Sequence, residues 1–207
     1  MKNIKQKSKE LTPAFYMTIV SIIQSFALGF LLTSIGDSAA RLLHTNLIAF
    51  VGWFQAAAVF QVIVMTWHVN VQHATIFARV YDVADSYIPF LFAIPEYSMI
   101  VCIKSGNVHW WFLWMALLVA MTFWAFLDNY VDTQKEPENA EVFAKLRLYR
   151  VGILAYLGSG AALFLLMGLF TPAGTSMQLL LAGIVNVMLV IFTFAHHFFC
   201  WRRVISD

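Results

Sequence analysis

Tyr87-Ile-Pro-Phe-Leu-Phe-Ala-Ile-Pro-Glu-Tyr-Ser-Met-Ile-Val-Cys-Ile103 decides how this chain is read. The stretch is largely apolar, yet it holds Glu96 and two prolines, Pro89 and Pro95. A carboxylate at bilayer depth costs on the order of a few kcal/mol, so it faces protein or trapped water and marks a functional position. A proline within a helix cannot donate the bond one turn back, which would free the carbonyls of Asp85 and Leu91. Broken helix is tolerated in hydrocarbon only against protein or a cavity. The stretch therefore predicts a proline-broken membrane helix beside a polar site, with Glu96 at its centre.

The surrounding composition agrees. Of 207 residues, 61% are hydrophobic and 12% charged, and the mean hydropathy is +0.75. Soluble domains carry roughly 25% charged residues. Six apolar runs approach the ~20 residues that cross about 30 Å of hydrocarbon: 13–35, 47–67, 83–103, 108–127, 151–171 and 177–201. The connections between them are too short for a soluble domain. The expectation is one all-α integral membrane domain over 1–207, with six transmembrane helices.

Charge sets the expected orientation. With six spans the two ends share a side, and that side collects 11 of the 13 basic residues. The other side keeps Arg41 and Lys104. The positive-inside rule then puts both termini in the cytoplasm of a plasma membrane, of bacterial inner-membrane type. The basic start Lys2–Lys9 resembles a signal peptide, but the apolar run behind it is longer than an h-region of about 7–15 residues. It reads as a retained first helix. Cys102 and Cys200 fall on opposite faces, so no disulfide framework is expected.

Segment 138–150 reads as a short amphipathic cytoplasmic helix, with Val142, Leu146 and Tyr149 at helical spacing and Glu141 four residues before Lys145. The fifth span carries Gly158, Ser159, Gly160, Ala161 and Ala162. Small residues let helices approach closely in lipid, so this is a packing surface, within one chain or between copies in a homo-oligomer. Trp53, Trp67, Trp110, Trp111 and Trp201 lie near span ends and read as interfacial anchors. Nothing in the pattern points to nucleic acid.

Residues seven or eleven apart share a helix face. Gln61, His68 and Gln72 do so in the second span, Asp85 and Glu96 in the third, and Asn186, Thr193 and His197 in the sixth. Thr18, Ser21 and Ser25 share a face in the first span, beside Gln24. If these stripes face one another they form a route from a cytoplasmic mouth to mid-membrane. No Lys or Arg lies centrally in any span, so Glu96 either keeps its proton or is ionised against a cation or water. That suits a small ion channel, or a transporter coupled to a proton or small cation, with Gln24, Gln61, His68, Asp85, Asn186 and His197 along the pathway. It also removes a retinal Schiff base, which needs a lysine in a span.

Two other classes stay open. His68, His73, His196 and His197, with Asp82, Asp85 and Asp128, could hold a metal or haem at the cytoplasmic mouth of a membrane enzyme or redox subunit. Against this, His68 and His73 point about 140° apart on a helix. Alternatively the chain is an accessory subunit of a larger membrane complex. The sequence assigns no cofactor.

Overall fold

The computed structural model describes residues 4–44, 47–77 and 85–170, with isolated positions 184, 188 and 191. These residues form α1 (Ile4–Asp37), the short α2 (Ala39–Leu42), α3 (Leu47–Ile76), α4 (Ile88–Ser105), α5 (Val108–Gln134) and α6 (Ala140–Phe170). No strand occurs among the described residues. Five stretches are long and apolar enough to cross a membrane: Thr12–Asp37, Ala49–Thr75, Asp85–Ser105, Val108–Gln134 and Val151–Phe170. They match the first five expected spans. The sixth, 177–201, lies outside the described residues apart from the three isolated positions, and so do Asp82, Asn186, His196, His197 and Trp201.

Two helices run further than expected. The second and fourth spans continue through His68–His73 and Asp128–Gln134, because polar side chains alone do not end a helix. Neither stretch contains the glycine or proline that would. Segment 138–150 is also not a separate helix. After a 3₁₀ turn at Pro137–Asn139, α6 continues unbroken into the fifth span. The expected Glu141–Lys145 ion pair is present, at 3.4 Å.

The prolines do not break α4. Pro89 falls in its first turn, where the missing N–H would have had no partner in any case. The helix is continuous past Pro95, so only the Leu91 carbonyl loses its intrahelical bond. This corrects the expectation of a broken third helix.

Contacts give the direction of packing. Tyr16 donates to Asn70 Oδ1 at 2.6 Å and Trp67 Nε1 to Ser21 Oγ at 3.1 Å, so α1 and α3 are antiparallel. Gln24 meets Glu96, and Lys104 Nζ lies 2.8 Å from Asp37 Oδ2, so α1 and α4 are parallel. The turn from α4 to α5 is two residues long. Gly106 takes a φ of 73° to close α4, and the Asn107 side chain accepts the Trp110 N–H at 3.2 Å to open α5. Gly158 faces Phe123, Gly160 faces Val119 and Gly168 faces Leu113, so α5 and α6 are antiparallel and the glycines of the small-residue stretch pack against α5, while Ser159 and Ala162 are exposed.

In consequence, the first halves of α1, α4 and α6 lie level with the second halves of α3 and α5. The opposite half holds most of the largest fully buried side chains among the described residues: Leu31, Met99, Ile100, Ile103, Trp111, Phe112, Met115 and Phe164. Trp111 is therefore a core residue and not an interfacial anchor. Trp67 is exposed, and α3 continues beyond it to Ile76. The outer surface is apolar as well, with Phe15, Phe26, Leu32, Phe60, Trp124, Leu163 and Phe170 exposed. Helices that are hydrophobic all round suit a hydrocarbon solvent.

Candidate functional site

Glu96 sits on α4 immediately after Pro95 and has no exposed surface. Gln24 of α1, 4% exposed, donates Nε2 to Glu96 Oε1 at 3.4 Å. That is beyond the 2.7–3.2 Å of an ordinary N–H···O bond, so the pair is loosely tied. The Thr66 hydroxyl of α3 approaches the same carboxyl. Glu96 Oε2 and Gln24 Oε1 are both buried with no hydrogen-bond partner among the described residues. Both are acceptors. Leaving a buried acceptor unmade costs roughly 1–3 kcal/mol, so the site is short of donors: a proton on the carboxyl, an N–H, water or a cation would relieve it.

Beside this pair lies a cavity of about 210 Å³ shared by α1, α3, α4, α5 and α6. Its α3 wall is Val62, Met65, Thr66, Val69, Asn70 and His73, and its α5 wall is Leu118, Val119, Thr122, Ala125, Phe126 and Asn129. These are single helix faces at spacings of three and four. Gln24 of α1, Phe92 of α4 and Gly160 of α6 lie at the inner end, and Tyr16, His73 and Asn129 lie at the outer end. Glu96 is one turn beyond Phe92. It therefore stands behind Gln24 and Thr66, which touch both the cavity and the carboxyl.

Most of the wall is apolar, and its polar members largely satisfy themselves. Asn70 Nδ2 donates to the Thr66 carbonyl at 2.6 Å, Asn129 Nδ2 to the Ala125 carbonyl at 2.9 Å, and Thr122 to the Leu118 carbonyl at 2.8 Å. Bonds to the preceding turn let amides and hydroxyls sit in an apolar wall, and Asn70 also accepts from Tyr16 across to α1. Past Glu96 the path meets Met99, Ile100, Ile103, Trp111, Phe112 and Met115, an apolar cluster of buried side chains.

Of the residues expected from sequence, Gln24 and Glu96 are brought into contact. His73 lines the cavity, whereas Gln61 and His68 are half-buried on an adjacent face of α3 and do not. Asp85 is buried, but it lies in a 3₁₀ turn, Asp85–Tyr87, ahead of α4. The eleven-residue register with Glu96 assumed one continuous α-helix and does not hold. The Thr18 and Ser25 hydroxyls are exposed and bond back to the carbonyls of Ala14 and Ser21, and Ser21 accepts from Trp67, so that stripe does not line the cavity. Asp128 is half-buried, and Asp132 pairs with Lys135 at 2.8 Å. Among the described residues no three His, Cys, Asp or Glu gather where they could hold a metal ion.

Tyr16, Thr66, Asn70, Thr122 and Asn129 were not singled out from the sequence. A signal existed for two of them. Thr122 and Asn129 are seven apart, the same spacing that marked the other stripes. Comparison with protein-family models, with characterised proteins and with solved structures gives no match.

Proposed function

We propose that this protein is a small transporter coupled to a proton or small cation, in a membrane of bacterial inner-membrane type, with Glu96 as the coupling group. The observation that carries the reading is the loosely tied Gln24–Glu96 pair at the inner end of a cavity that occupies only one half of the bundle. A buried acid with an open oxygen can take up and release a cation; an acid locked in an ion pair cannot. The apolar cluster on its far side favours alternating access over a standing channel, because a channel needs a continuous path.

The outer end of the cavity lies at the same end of the bundle as Lys135 and Lys145. Under the positive-inside rule that end is cytoplasmic, and a count of six spans would put both termini on the same side. The released Leu91 carbonyl next to Pro95 gives α4 a natural point of flexure beside the site.

The test is flux into liposomes carrying purified protein and an internal pH or cation indicator. Glu96→Gln keeps the shape and removes the exchangeable charge. It is expected to cut flux at least tenfold while leaving assembly and melting temperature unchanged. Equal flux in the two proteins would make the carboxyl structural and overturn the reading.

A further inference from the structure

We propose that the cavity is the seat of a compact lipophilic ammonium ion, a one-ring or short alkyl body whose N–H-bearing head meets Gln24, with the Glu96 carboxyl directly behind it. As a substrate assignment this rests on the transport reading above. As a binding site it stands on geometry alone.

The inner end offers acceptors with no partner among the described residues, Gln24 Oε1 in the cavity wall and Glu96 Oε2 behind it, while the two asparagines of the wall each give an amide hydrogen to a backbone carbonyl of their own helix. That end is short of a donor, and a positively charged one would meet the charge of the carboxylate as well as its open oxygen. No Lys or Arg among the described residues lines the cavity, so phosphates and carboxylates would enter with nothing to neutralise them. The walls select the body. They are apolar and carry the rings of Tyr16, Phe92, Phe126 and Tyr156, which attract cations through their faces as well as packing against carbon. A hydrated metal ion would leave that surface unused. At about 210 Å³ the cavity exceeds the roughly 150 Å³ space known to admit benzene. It accepts one ring with a short charged arm and excludes bulky polycyclic cations.

Binding of benzylammonium to the full chain in lipid nanodiscs, followed by calorimetry, tests the assignment. Saturable binding is expected, at least tenfold tighter than benzyl alcohol, which has the ring without the charge, and with benzoate not binding. Gln24→Leu and Glu96→Gln should each weaken binding at least tenfold. Ala125→Leu adds bulk on the α5 wall while leaving both polar groups in place, and it should block the ring. If either polar variant fails to fold, the ligand series and Ala125→Leu decide the matter. No saturable binding, equal binding of the alcohol, or indifference to Ala125→Leu would overturn the proposal. Glu96-dependent flux without benzylammonium binding would sink this assignment alone. Binding without Glu96-dependent flux would sink the transport reading and leave the site.

Discussion

At the scale of single residues, the chain invests its few buried polar groups unevenly. Several threonines and asparagines of the interior close bonds onto their own helices, whereas Gln24 and Glu96 each leave one oxygen without a partner among the described residues. Gly106 shows a different constraint. Its φ of 73° ends α4, and its N–H and that of Asn107 return to Ile103 and Cys102. An L-residue pays a steric penalty in that conformation, so Gly106→Ala should lower stability by about 1 kcal/mol, read as a shifted denaturant midpoint in detergent. Glu96 was legible in the sequence because an acid in an apolar run has few innocent explanations. Its partner was not, since spacing along one helix says nothing about which neighbour it meets. Gln24 was named only as one amide among several.

Between helices, the α5–α6 seam depends on absent side chains. A Cβ on Gly168 would come within 2.5 Å of Leu113 Cδ2 and 2.9 Å of its Cγ, while one on Gly152 meets nothing within 4 Å. Gly168→Val should therefore cost roughly 1–3 kcal/mol through overpacking. Gly152→Ala should be neutral or stabilising by up to about 1 kcal/mol through helix propensity. Thermal unfolding of the two variants in the same detergent checks the contrast. Helix positions were readable from hydropathy, and the small residues marked a packing face. The ends were less readable: α3 and α5 extend through polar turns that resemble interface sequence, and α6 absorbs the amphipathic stretch before it. Pro89 was misread for the same reason. A proline breaks a helix or begins one according to where the first turn falls, and hydropathy does not locate that turn.

For the molecule as a whole, the division into a hollow half and a solid half is the central feature. Neither half could be read from the chain, because the faces that meet belong to helices distant in sequence. The cavity face of α3, running from Val62 to His73, is adjacent to the stripe through Gln61 and His68 that periodicity favoured. Cys102 adds a practical corollary. It is a free thiol, 6% exposed, packed into the solid half close to Met99 and Ile103 on α4. If turnover requires that half to part, a small maleimide will modify Cys102 in a Cys200→Ser background faster during coupled flux than at rest. An unchanged rate would mean the packing never loosens. The chain thus carries a native chemical clock for the very movement its mechanism would demand.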